Sequence, residues 1–204
     1  MKWFILFVVS FLLISMVGAQ YGNAQTNTNP SENAKTSNNS GIGQQLSQKI
    51  AQLREGNYTG PFGKFLNVKQ LASGLKELRS NNVPAETELN ITTEQDDNNQ
   101  TKLKAHLSNG QEKEIKIMPD TASETAIARL KLKLCSEENN CTIELKEVGN
   151  SNETKAAYDV KAQKSVKVFG LFNAKMNVET NIDSETGDVI SSKVPWWSSI
   201  SADA

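Results

Sequence analysis

The chain has 204 residues, 22 basic and 23 acidic, and a formal net charge of −1. That length allows one domain with extensions. Hydrophobic residues make up 37% and aromatic residues 6%, so the core is modest, and the balanced charge argues against the basic stripe that a nucleic-acid partner needs.

The N-terminus reads "MKWFILFVVSFLLISMVGAQ". Lys2 supplies a minimal positive region, an apolar run follows to Val17, and "VGA" offers the small residues of a cleavage site. The run is shorter than the roughly 20 apolar residues of a spanning helix. Residues 1–19 therefore read as a signal peptide, with "GNA" before Gln25 as a second cut position and an uncleaved anchor as the alternative. The expected product is secreted or held at the cell surface, and membrane contact is expected only through a retained leader. Removing Lys2 with the leader leaves 21 basic against 23 acidic residues, a balance of −2. Residues 20–43 are dominated by Asn, Thr, Ser, Gln and Gly. Such a segment cannot bury enough surface to offset its ordering entropy and reads as a disordered polar tether.

Residues 44–82 carry two helical patterns. Leu46, Ile50 and Leu53 share one face at i, i+4 and i+7, with Gly56 as the stop. Val68, Leu71, Leu75 and Leu78 line a second face behind Asn67 as N-cap, and Gly60-Pro61 breaks the chain between the two. Residues 84–118 switch to period two. Leu103, Ala105 and Leu107 alternate with Lys102, Lys104 and His106, and "SNG" at 108–110 turns the chain back through Ile115 and Ile117, a β-hairpin.

Residues 119–194 read as a helix followed by antiparallel strands. Pro119 and Asp120 open the helix, Thr121 with Glu124 fits a capping box, and Ile127, Leu130 and Leu134 form its apolar stripe. "TIELKEV", "AAYDVKAQKSVKV" and "FNAKMNVETNIDSETGDVI" then alternate strictly, which means one buried and one wet sheet face. The expected fold class is α+β: an antiparallel meander covered by one helix, preceded by two short helices and a hairpin. Residues 195–204 form a C-terminal tail.

Helix, meander, Tyr158-Asp159-Val160 in the middle strand and the closing turn Asp183-Ser184-Glu185-Thr186-Gly187-Asp188-Val189 together resemble the PepSY domain. The resemblance covers about residues 121–190. It implies a helix-plus-meander fold and a binding role without catalysis, with a protein partner such as a secreted protease. The expected function is therefore an exported, non-catalytic binding module of the cell envelope or exterior. The alternative is a tethered, glycosylated structural surface protein with no specific ligand.

Little in the sequence points to chemistry. Cys135 and Cys141 form an even pair in an exported chain and read as a disulfide. Redox pairs are usually spaced more tightly, and no second Cys or His cluster completes a metal site. His106 is the sole histidine and falls on the polar side of its strand, so an exposed bystander is expected. Neither "EQDDNN" at 94–99 nor "DSETGD" at 183–188 has EF-hand spacing, and both read as solvated turns. No enzyme activity, cofactor or metal is expected. Glycosylation sequons stand at Asn38, Asn57, Asn90, Asn99, Asn140 and Asn152. Trp196 and Trp197 follow the last strand; they read as a cover for the sheet edge, or as an aromatic pair that contacts a partner.

Overall fold

Apolar side chains recur at every second position along most of the chain, and this period sets the architecture. The computed structural model describes residues 50–98, 100–150 and 153–203. The expected leader at 1–19, the tether at 20–43, Leu46 and the sequons at Asn38, Asn99 and Asn152 lie outside the described residues.

The expected α+β class is overturned. Among the described residues the chain forms thirteen strands and one α-helix, arranged in two sheets. The four-stranded sheet has the order β1 (Ala51–Gln52), β6 (Asn90–Gln95), β7 (Thr101–His106) and β8 (Glu112–Ile115). The nine-stranded sheet runs β12 (Val189–Lys193), β11 (Phe172–Asp183), β10 (Lys155–Val168), β9 (Thr142–Val148), β5 (Val83–Thr87), β4 (Lys76–Ser80), β3 (Phe65–Gln70) and β2 (Gly56–Thr59). Its ninth strand, β13 (Ser201–Asp203), pairs with the far half of β10.

Among the described residues neither leading helix is formed, and the reason is local. Val68 and Leu78 face each other across a hairpin, with Leu71 and Leu75 closing its turn. A turn between two strands thus placed four apolar residues at helical spacing. Two punctuation marks favour strands here. Gly74 sits at φ +91°, and Asn81 and Asn82 sit at φ +46° and +64° in the two-residue link from β4 to β5. Paired left-handed residues suit the twist of a tight hairpin, and Asn tolerates them. Upstream, Leu53 is buried but Ile50 is exposed, and Ala51–Gln52 pair with Thr92 and Thr93.

The helix α1 spans Pro119–Leu130. Met118 stands at its N-cap without a side-chain cap bond, so the expected Thr121–Glu124 capping box is not made. It ends at Lys131, which adopts φ +53°, so Leu134 falls outside the helix and is exposed while Leu132 is buried in its place. The buried face of α1 is made of Ala122, Ser123, Ala126 and Leu130. These mostly small residues let the helix approach the sheet closely.

Strand β10 is the longest, at 14 residues, and pairs with β11 from Ala157↔Asp183 to Val168↔Phe172. Its inward side chains Tyr158, Val160, Ala162 and Val166 are buried. Tyr158, Val160 and Ile182 join one core cluster with Ala122 and Ala126 of α1, and with Ile91, Leu103 and Ile115 of the four-stranded sheet. Full burial of each large apolar side chain contributes roughly 1.5–3 kcal/mol. A second cluster holds Ala162, Val166, Met176 and Val178, beyond the end of α1, under Leu130, Leu132 and Trp197.

The two sheets meet at a knot of polar bonds. The N–H groups of Lys116 and Ile117 both donate to the Ser184 carbonyl at 2.9 Å, and the Ser184 N–H and Oγ donate to the Ala156 carbonyl. The fully buried Tyr158 hydroxyl donates to the Ile117 carbonyl at 2.7 Å. The turn at 183–188 is therefore half interior, since Asp183 and Ser184 are buried. Replacing Tyr158 by Phe leaves the Ile117 carbonyl without this donor and should cost about 1–2 kcal/mol. Thermal unfolding of Y158F should fall by a few degrees; an unchanged midpoint would remove the bond from the account.

Candidate functional site

Strands β5 and β9 run parallel but pair over only two positions, Glu86↔Glu144 and Thr87↔Leu145. Beside this short contact the disulfide loop approaches, and a groove of about 850 Å³ opens among β4, β5, β9 and that loop. Five carboxylates line it, Glu77, Glu86, Glu88, Glu137 and Glu144, against one cation, Arg79. Leu75, Val83, Pro84 and Ile143 give it apolar patches.

The acidic lining continues a row set by sheet register. Glu77 faces Glu86, Glu86 faces Glu144, and Glu144 faces Asp159, so four neighbouring strands place carboxylates side by side on the outer face. Like charges directly opposite one another destabilise a sheet. The ends of the row are compensated. Arg79 bonds Glu77 at 2.9 Å and holds that carboxyl below the ordinary range. Lys146 bridges Glu144 and the buried Asp159, and its bond to Asp159 raises the Lys146 ammonium pKa. Lys161 reaches Asp159 at 3.0 Å. Glu86, in the middle, is exposed and makes no ion pair among the described residues.

The disulfide loop forms one wall. Cys135 and Cys141 stand at disulfide distance, with Cα atoms 5.1 Å apart, and both pack against the main core cluster. Closing so short a loop stabilises by roughly 2 kcal/mol in the chain-entropy model. Within it, the Ser136 N–H donates to Asn139 Oδ1 and the Cys141 N–H to the Ser136 carbonyl.

Other polar clusters are turned inward on the fold. Asp120 is buried at the first turn of α1, where a negative charge suits the helix dipole. It accepts from Lys64 Nζ at 2.8 Å, Ser80 Oγ at 3.0 Å and Asn81 Nδ2 at 2.9 Å. These bonds tie two turns of the nine-stranded sheet to the helix. Asp183 likewise accepts from Lys155 Nζ and from the Glu185 N–H.

His106 lies part-exposed on its strand and makes two polar contacts. Its Nε2 is hydrogen-bonded to Thr92 Oγ1 at 2.9 Å, and its Nδ1 lies 3.3 Å from a Glu112 carboxylate oxygen. Hydroxyl, imidazole and carboxylate stand in the order of a catalytic relay. They lie across β6, β7 and β8, whose pairing occupies the surrounding backbone, and the acidic groove is elsewhere. We read the trio as a cross-strand polar ladder. Sequence parity placed His106 outward correctly but carried no information on cross-strand partners.

The remaining expected sites are dispersed. Asn57 is exposed on β2 and accepts from Asn67 Nδ2; Asn90 is exposed at the start of β6; Asn140 is exposed and donates to Gln163. Trp197 packs on the second core cluster, whereas Trp196 is 86% exposed. Among the described residues no group of three or more His, Cys, Asp or Glu side chains could hold a metal ion, and no helix is long and apolar enough to cross a membrane. The acidic row escaped the sequence reading because it depends on which strands are neighbours, above all the parallel β5–β9 contact. Comparisons with protein-family models, with curated proteins and with solved structures give no match.

Two of the buried carboxylates, Asp120 and Asp183, set a pH dependence. Burial pushes Asp120 and Asp183 upward, but the lysine and hydrogen-bond donors outweigh it and hold both below the ordinary value of 3.8. A carboxyl lowered in the folded state contributes stability above its unfolded pKa and loses it as pH falls through the folded value. Denaturant midpoints should therefore hold down to about pH 4 and then fall steeply. The fall should be shallower in D120N, although that variant starts less stable. An equally steep fall in D120N and in the parent would contradict the assignment.

Proposed function

We propose that this chain is an exported, non-catalytic, PepSY-like binding module of the cell envelope or exterior, which takes a basic segment of a protein partner into the acidic groove. The observation that carries this reading is the row Glu77–Glu86–Glu144–Asp159, with exposed Glu86 at its centre. Glu77, Glu144 and Asp159 have cation partners, but the fold gains nothing from leaving Glu86 uncompensated between two carboxylates. Such local conflicts persist where a site needs them. A Lys- or Arg-rich strand or loop entering the groove relieves the repulsion and finds apolar contact on Val83, Pro84 and Ile143.

The resemblance of residues 121–190 to PepSY domains supports a binding role, and secreted proteases are the partner class it suggests. Cleavage of the leader and export belong to the same proposal. The competing reading, a structural surface protein without a ligand, is decided by one titration.

Fluorescence anisotropy with a labelled Lys/Arg-rich peptide should give saturable binding that weakens as salt is raised. Glu86→Gln should weaken that binding about tenfold, while raising stability by roughly 0.2–1 kcal/mol as the like-charge contact is removed. A peptide that binds neither protein, or a Glu86→Gln variant that is less stable, would remove the groove as a site.

A further inference from the structure

Beyond the end of β9, strands β10 and β11 continue as an arm that ends in the turn Phe169-Gly170-Leu171. The side chains at its tip face water. Phe169 is 67%, Leu171 78% and Phe172 65% exposed. Phe169 adopts φ +51°, a conformation that a bulky residue enters only at a cost. Its N–H donates to the Ile200 carbonyl, so the C-terminal tail holds the strained turn in place and sets a further part-exposed apolar residue beside it. Solubility alone favours polar residues at such a tip.

The arm's own charged residues have one sign. From Val160 to Val178 the arm carries Lys161, Lys164, Lys167 and Lys175 and no acidic residue, in a chain whose net charge is −1. Lys167 and Lys175 flank the tip on the outer face, opposite Asn173 and Ser165. On the inner face, a recess of about 240 Å³ near the foot of the arm is lined by Lys131, Lys133 and Lys164. Two acids, Glu138 and Asp203, also line this recess, and Asp203 is bonded to Lys164 at 2.6 Å.

We propose that the arm tip is a lipid-docking device: Phe169, Leu171 and Phe172 enter the interfacial layer of an anionic bilayer while the flanking lysines meet its headgroups. A convex apolar knob suits a fluid surface that closes around it, and cations behind it suit a negative surface potential. The acidic groove has the opposite charge, so the two surfaces call for different ligands.

The test uses the full chain, with an environment-sensitive dye placed on Leu171→Cys. Vesicles of phosphatidylserine and phosphatidylcholine should shift the dye emission to the blue, and pure phosphatidylcholine vesicles should shift it far less. The pair Lys167→Glu and Lys175→Glu should weaken the partition by roughly tenfold or more, since each cation near the surface adds to the attraction. In unlabelled protein, Phe169→Ser with Phe172→Ser should lower vesicle co-sedimentation relative to the parent, both chains carrying the same leader. Circular dichroism should show both multiple variants folded, because the substituted side chains are exposed. A dye that stays in water on both vesicle types, equal shifts on both, or a blue shift produced by soluble protein and not by vesicles would overturn the proposal.

Discussion

One buried tyrosine connects the parts of this molecule. The Tyr158 ring lies in the core shared by both sheets and α1, and its hydroxyl reaches the Ile117 carbonyl, where the chain leaves β8 for the helix. Burial, followed by the charge of nearby Asp120, raises the phenol pKa far above its ordinary value, so the hydroxyl keeps its proton and remains a donor. Around it, Ser184 binds both Ile117 and Ala156 through the backbone. The hydrophobic effect drives the sheets together without direction. These few bonds supply the direction, because an unmet buried carbonyl or N–H costs more than a met one gains.

From that junction the two surface features follow. The inner face of β10 is taken up by the core, so its outer face carries Asp159 beside the carboxylates of β9, β5 and β4. The register fixed by burial on one side therefore writes the acidic row on the other. A shift of one residue in β9 or β10 would turn apolar side chains outward and dissolve the row at once. The far half of β10 has outrun α1. There the apolar face is covered by Leu130, Leu132 and Trp197 up to the tip, which remains bare.

The sequence was most legible where one face is buried and the other is wet. The alternation through 142–193 marks strands that pair in order, and Leu103↔Ile115 joins the hairpin read from "SNG". It was least legible at 44–82, where the fold class was misjudged. Leu71 and Leu75 occupy a turn, and their spacing imitated a helix because turn and helix both bring residues three and four apart together. The Asn81-Asn82 pair was the stronger physical signal there, since two successive left-handed residues suit a hairpin and end a helix. The acidic groove and the His106 ladder were invisible for a different reason. Both depend on contacts between strands distant in sequence, which periodicity does not encode.

If the Tyr158 junction binds the two sheets into one cooperative unit, native-state hydrogen exchange read amide by amide tests it most directly. The account predicts that buried amides of β6 and β7, and those of β10 near Tyr158, exchange only through global unfolding and with a common free energy. If the four-stranded sheet opened at much lower free energy while the β10–β11 core stayed closed, the sheets would be separate units and the central role given to Tyr158 would be wrong.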